Sequence, residues 1–156
     1  MPPSRYNASV VNIDSGKTPP APFTLLDHTA DVGIVASGRD LAALFAHAAE
    51  GMFSVMVERE GVAETVRREV VVDAADREAL LVEWLNELLF VVDVDRLVFR
   101  RFEVVECTET HLRAFACGEQ IDPSRHQLKT AVKAATYHML KITGGPPYRA
   151  QVILDV

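Results

Sequence analysis

The sequence predicts a domain of mixed helices and strands, in which a strand, a helix and further strands follow one another twice. Apolar residues recur at three- and four-residue steps from Leu41 to Met56 and again from Leu81 to Leu89, which is the spacing of helices with a buried face. Residues 62–72 instead carry β-branched side chains in rough alternation with charged ones, which indicates a half-buried strand. No stretch repeats residue by residue, so the doubling lies in the order of the elements.

Composition limits the class of protein. The 156 residues have the length of one ordinary domain, and 49% hydrophobic with 24% charged residues is typical of a soluble globular protein. The formal charge of -6 and the pI of 5.3 disfavour a protein that grips RNA itself, because such surfaces need clustered Lys and Arg. Any role in RNA chemistry is therefore expected to be indirect.

The amino-terminal segment differs from the rest of the chain. Residues 1–22 contain five of the eight prolines and little that could pack, which predicts a disordered tail before the folded domain 23–156. The segment has no apolar signal core, and the most apolar later run, residues 80–92, is interrupted by polar side chains. We interpret Cys107 and Cys117 as buried, reduced thiols and expect a cytoplasmic protein without membrane association.

Local signals predict where the helices begin and end. Ser37 and Asp40 have the spacing of a capping box, which predicts that the first helix begins at Ser37, and residues 58–61 end it. His47 and Glu50 fall off its apolar face and are predicted to be solvated. Asp76 is a plausible N-cap for the second helix, whose wide apolar arc predicts that it is largely buried.

Strands are predicted on either side of these helices. Residues 23–26 and 32–36 form short strands before the first helix. Hairpins follow the second helix at 97–107 with 111–117 and at 132–142 with 148–156, separated by a polar loop over 118–128. Asp93 and Asp95 lie in the predicted link before the first hairpin, where solvated acids are a simpler interpretation than metal ligands.

The stretch from Asp27 to Gly33, Asp-His-Thr-Ala-Asp-Val-Gly, combines acids and an imidazole at a strand entrance. Asp residues often hydrogen-bond their own backbone in turns, so His28 and Asp31 are compatible with a simple turn. Carboxylate oxygens and imidazole are also divalent-metal ligands, although this stretch alone supplies too few. Any remaining ligands are expected from elsewhere in the chain.

The carboxyl-terminal run is unusual because it stays apolar to its last residue. Residues 152–156 read Val-Ile-Leu-Asp-Val, which places the side chain of Asp155 next to the α-carboxylate of Val156. Like charges at that spacing repel by about 1 kcal/mol even in a high dielectric. A bound cation would remove this cost.

Familiar catalytic signatures are missing from the sequence. It has no phosphate-binding glycine loop, no His-Glu-x-x-His, no Cys-x-x-Cys and no Gly-x-Ser-x-Gly. His126 and His138 would be candidate bases if folding brought them near His28, but isolated histidines are usually structural.

Five segments together resemble the archease family over residues 23–156. The segments are Asp27-His28-Thr29-Ala30-Asp31-Val32-Gly33, the following helix with Leu-Phe and Ala-Ala-Glu-Gly-Met-Phe, Trp84-Leu85-Asn86-Glu87-Leu88-Leu89-Phe90, Val132-Lys133-Ala134-Ala135-Thr136-Tyr137-His138, and Ile153-Leu154-Asp155-Val156. Each is weak alone, but their common order is specific.

The resemblance implies an α+β fold of two strand-helix-strand-strand modules, the second inserted into the first, with helices packed on antiparallel sheet. It also implies an accessory protein of an RtcB-type RNA ligase, which promotes guanylylation of the ligase histidine and multiple turnover in tRNA splicing or RNA repair. The implied metal ligands are Asp31, Asp155 and Val156. His28 and Lys133 are expected to orient the site or contact the ligase, and all-oxygen ligands favour Ca, Mg or Mn over Zn.

Two other functions stay open from the sequence. The main alternative is a small metal-dependent phosphoester hydrolase, in which Asp31 and Asp155 hold the ion and His28 or His138 acts as the base. A weaker alternative is a general chaperone.

Overall fold

The computed structural model describes residues 21–27 and 31–156, so the predicted tail lies outside the described residues apart from Ala21 and Pro22. The elements in chain order are β1 Phe23–Asp27, β2 Asp31–Gly38, α1 Leu41–Met56, a 3-10 turn Arg59–Gly61, β3 Val66–Asp73, α2 Arg77–Asp95, β4 Leu97–Cys107, β5 His111–Gln120, β6 Ala134–Gly144 and β7 Tyr148–Asp155. Within these residues, no helix combines the length and apolar character needed to span a membrane.

The described strands form two antiparallel sheets that share one topology. One sheet has the order β1-β2-β7-β6 and the other β3-β5-β4. The modules β2-α1-β6-β7 and β3-α2-β4-β5 each place their last strand between the other two, and the second module is inserted between α1 and β6. The α+β fold with an inserted module is therefore confirmed, with a separate sheet for each module and β1 as an added edge strand.

The start of α1 differs from the prediction. Asp40 is the N-cap, because its Oδ1 accepts a hydrogen bond from the Ala43 amide at 2.7 Å. Ser37 instead lies in β2, where its hydroxyl donates to the Ala21 carbonyl at 2.9 Å. Strand pairing holds the backbone extended through Gly38, so the helix cannot begin at Ser37. His47 is also not simply solvated, since its Nδ1 lies 2.6 Å from the Ser37 carbonyl oxygen.

The second helix is longer than predicted. It runs to Asp95 and ends where Arg96 adopts a left-handed conformation with φ 56°, so Asp93 and Asp95 lie in its last turn and not in a link. Asp95 pairs with Arg68 of β3. The predicted burial holds for most of the helix, including Trp84, which is fully buried.

Both modules contribute to one core. The Trp84 indole N–H of α2 donates to the Phe45 carbonyl of α1 at 2.9 Å. Rings from α1, α2 and β4 pack edge-on or tilted at centroid separations of 5.5–6.2 Å; they belong to Phe53, Trp84, Phe99 and Phe102. Because the helices bridge the modules, neither sheet is covered by its own helix alone.

The predicted hairpins are confirmed with small shifts. Strand β3 begins at Val66, four residues later than predicted, and Cys107 lies opposite Leu112. Both cysteines are free thiols, but only Cys117 is buried. Cys107 is half-buried, and its partial burial raises the pKa of the thiol to about 11. In the last hairpin, β6 bulges between Thr136 and Lys141.

Replacing Trp84 with Phe removes the hydrogen bond to Phe45 and leaves space in the core. We expect the free energy of unfolding to fall by about 1–3 kcal/mol in chemical denaturation. The matched control is Phe90→Leu on the exposed side of the same helix, which should change stability by less than about 0.5 kcal/mol. Equal effects of the two substitutions would contradict the described core.

Candidate metal centre

The pairing of β2 with β7 brings the two predicted aspartate ligands together. Asp31 lies directly opposite Asp155, and Asp155 in turn lies opposite Ala134 of β6. Directly opposed residues of antiparallel strands point to the same face of a sheet, with Cβ atoms about 4.5–5.5 Å apart. The two carboxylates therefore start from neighbouring positions in one row of side chains.

Backbone contacts order the end of β7. The Lys133 amide donates to the Asp155 carbonyl at 2.7 Å, and Val156 packs against the hydrophobic core. The Lys133 side chain is exposed, so the contribution the structure assigns to Lys133 is its backbone hydrogen bond. As a result, Asp155 and Val156 belong to an ordered segment.

Neighbouring packing also fixes the position of Asp31. A Cβ on Gly33 would lie 3.0 Å from the Leu26 Cβ and 3.2 Å from the Ile153 Cδ1. Two apolar side chains from the flanking strands thus close over Gly33, one row from the aspartates. Glycine allows this close approach, and a Cβ at this position would require the Leu26 and Ile153 side chains to move by a few tenths of an ångström.

The carboxylate oxygens of Asp31 and Asp155 are suitable ligands for a hard divalent cation. Asp31 and Asp155 are both half-exposed, and within the described part of the chain neither side chain has a hydrogen bond or ion pair. Opposed like charges destabilise a sheet, and a cation between them would reverse that effect. Carboxylate oxygens suit Ca, Mg or Mn, whose coordination shells take about six or more oxygens.

The two side chains do not complete such a shell. No group of three His, Cys, Asp or Glu side chains capable of holding a metal occurs among residues 21–27 and 31–156. The other positions would fall to Val156, to water or to a partner's oxygens. His28 lies outside the described residues.

The other candidate histidines do not join the aspartate pair. His138 is exposed in the β6 bulge. His126 is buried, where its Nδ1 accepts from the Asp122 amide at 2.9 Å and its Nε2 donates to Glu119 Oε2 at 2.8 Å. This pair of contacts assigns the Nε2-protonated form of His126 and confirms the structural interpretation of this residue.

The sequence analysis did not identify Glu119, whose carboxylate accepts this hydrogen bond from His126. Besides His126, its carboxylate accepts from the Ala63 amide at 2.7 Å and from the Arg125 guanidinium. These donors, led by the Ala63 amide, lower the pKa of Glu119 to about 2. Ala63 is distant from Glu119 in sequence, so no local sequence spacing indicates that the two residues meet.

Comparison with known proteins identifies the family. Residues 23–156 match the model of the Archease protein family (MTH1598/TM1083). The chain belongs to the archease family. The archease of Methanosarcina mazei is 39% identical over 141 residues, which cover 86% of this chain and 95% of that protein. The archease of Pyrococcus abyssi is 44% identical over 135 residues, covering 83% and 95%.

Solved structures agree with this archease assignment. The solution structure of Methanobacterium thermoautotrophicum Protein 1598 matches with a TM-score of 0.76 and 38% identity, covering 86% of this chain and 99% of that one. A Thermotoga maritima crystal structure, described as an archease and possible chaperone, matches with a TM-score of 0.59 and 20% identity. At that identity, the second likeness supports the archease fold alone.

The lowered pKa of Glu119 predicts a specific pH dependence of stability. The usual pKa of a glutamate is 4.5, so ionised Glu119 stabilises the fold above that pH, and the stabilisation is lost as the pH falls toward 2. Glu119→Gln should be less stable than wild type at pH 7, and the gap should shrink between pH 4.5 and 2. Denaturant titrations across this range measure the gap.

The control for this test is Glu109→Gln, an exposed acid in the β4–β5 turn. Its stability should follow that of wild type at every pH. A gap between wild type and Glu119→Gln that stays constant from pH 7 to pH 2 would contradict the assigned role of the carboxylate.

Proposed function

We propose that this protein is an accessory factor that activates an RtcB-type RNA ligase in tRNA splicing or RNA repair. It promotes guanylylation of the ligase histidine and allows the ligase to turn over repeatedly. The observation that carries the proposal is the opposed pair Asp31 and Asp155 in a chain of the archease family. The resemblance described above links this acidic site to the ligase.

The proposed cofactor is a divalent ion, Ca, Mg or Mn, held by Asp31, Asp155 and the α-carboxylate of Val156. When bound, the ion neutralises these acids and offers open positions to oxygen ligands of the partner. The support is the row of opposed carboxylates and the ordered end of β7. His28 and Lys133 are proposed to orient the site or to contact the ligase.

The protein is proposed to meet RNA only through the ligase. Its formal charge of -6 disfavours direct binding to phosphates. The arginines of the second sheet also support this view, because acids partly neutralise them: Arg67 pairs with Glu103, Arg101 with Glu64 and Arg113 with Glu69. The proposed location is the cytoplasm.

Mixing the protein with a cognate ligase tests the proposal. Guanylylation of the ligase should be faster with the protein than without it, and the protein alone should turn over neither nucleotide nor phosphoester. Unchanged guanylylation at saturating protein would refute the accessory role. Chelator-sensitive phosphoester hydrolysis by the protein alone would instead support the metal-dependent hydrolase.

Replacing Asp155 with Asn tests the metal ligands. The substitution keeps shape but removes one of two side-chain carboxylates, so divalent affinity measured by calorimetry and ligase activation should both fall sharply. Without metal, stability should be unchanged or rise by up to about 1 kcal/mol as repulsion with Asp31 is relieved. Glu109→Gln should leave affinity and activation at wild-type values; an Asp155→Asn protein that does the same would refute the ligand assignment.

Adding residues after Val156 tests the terminal carboxylate separately. A short Gly-Ser extension converts that carboxylate into a peptide carbonyl without full charge. Divalent affinity should weaken, by less than in Asp155→Asn, because both aspartates remain. Unchanged affinity in the extended protein would remove Val156 from the ligand set.

A further inference from the structure

One stripe of exposed side chains along α2 changes from acidic to apolar. Glu83, Glu87, Phe90 and Val94 follow one another at the four-, three- and four-residue steps that align side chains on one helix face. All four are exposed, and Phe90 and Val94 are each 58% exposed. The stripe is acidic in its first half and apolar in its second, and it lies outside the buried apolar arc of the helix.

Three acids without partners lie near the two apolar side chains. Glu83 and Glu87 precede Phe90 on the stripe, and Asp93 follows Phe90 by three residues, a spacing at which helical side chains are neighbours. In the described part of the chain, none of these three carboxylates has a hydrogen bond or ion pair. Acids on the outer face of the second sheet, by contrast, are matched with arginines, as Glu69 is with Arg113 at 2.6 Å.

Asp93 also lines a cleft at the end of α2. It has a volume of about 280 Å³ and separates the last turn of α2 from the segment 128–132. Its lining includes the apolar side chains of Met56, Val98 and Val132, and Leu128 at its rim is 48% exposed. A partner that covered Phe90 and reached past Asp93 would meet this cleft, whose lining also includes the basic side chains of Arg96 and Lys129.

We propose that Phe90, Val94 and the acids Glu83, Glu87 and Asp93 form the docking surface for the ligase, a proposal that rests on the function proposed above. The partner patch has an apolar centre bordered by Lys and Arg. Aromatic residues, Phe included, are enriched at protein–protein interfaces, whose rims are polar. A second copy of this chain is a poor fit, because a two-fold axis through the patch would bring the acids against either the same acids or the apolar side chains, and none of these five residues is basic.

The position of α2 links this surface to the candidate metal centre. The Asn86 side chain accepts from the Ala135 amide at 2.8 Å and donates to the Ala135 carbonyl at 3.2 Å. The preceding residue, Ala134, lies opposite Asp155. Asn86 and Phe90 are one helical turn apart, so one partner can contact Phe90 while it presents groups to the aspartates.

Titrating the protein into guanylylation reactions separates docking from the action of the metal centre. Phe90→Ser and Val94→Ser should each raise the concentration needed for half-maximal activation, the first by at least about tenfold, and leave the maximal rate unchanged. The joint reversal Glu83→Lys/Glu87→Lys should weaken binding most at low salt, since it removes complementary charge. The matched control is Val71→Ser, an apolar residue on the second sheet that is 49% exposed.

Each outcome decides the proposal. Direct binding of ligase, measured beside activation, should weaken in parallel for Phe90→Ser, with circular dichroism unchanged. Activation and binding equal to those of Val71→Ser would overturn the docking surface while leaving the accessory role intact. A wild-type dimer that Phe90→Ser dissociates would assign the patch to self-association and overturn it too. A wild-type protein that neither binds nor activates the ligase would refute both proposals.

Discussion

The antiparallel pairing of β2 with β7 is the constraint on which the candidate site depends. It joins a strand near the start of the domain to its last strand and sets Asp31 opposite Asp155. A shift of one residue in this register would send one aspartate to the other face of the sheet. The packing of Leu26 and Ile153 over Gly33 holds the register beside the site, so the electrostatic arrangement rests on apolar contacts.

The inserted module also contacts the sheet that carries the candidate metal site. Its helix α2 reaches the first sheet, where Asn86 satisfies both backbone groups of Ala135 on the outer side of β6. The same helix is tied to α1 through Trp84 and carries Phe90 toward solvent. A substitution in the inserted module can therefore disturb β6, and with it the strand that flanks Asp155. The modules repeat in topology but act as one structural unit.

The sequence predicted the elements better than the contacts between them. Periodicity located both helices, and the doubled element order and the resemblance agreed on the inserted module. Local sequence spacing did not predict the N-cap of α1 correctly, because strand pairing determines it. Ser37 and Asp40 are both suitable caps, and only the pairing of Ser37 in β2 selects Asp40. Glu119 was missed for the same reason, since its first donor, Ala63, belongs to a distant segment. The opposition of Asp31 and Asp155 is likewise invisible to local patterns, and family resemblance was needed to connect them.

Paramagnetic broadening by Mn²⁺ tests the cation site most directly, because it locates the ion without relying on any activity. Substoichiometric Mn²⁺ should first broaden the backbone amide signals of Asp31, Ala134 and Asp155 in the NMR spectrum of the full chain. Asp31→Asn should reduce this broadening strongly. Broadening that is centred elsewhere, for example around Asp73 and His111, or that persists unchanged in Asp31→Asn, would contradict a cation site between the opposed aspartates.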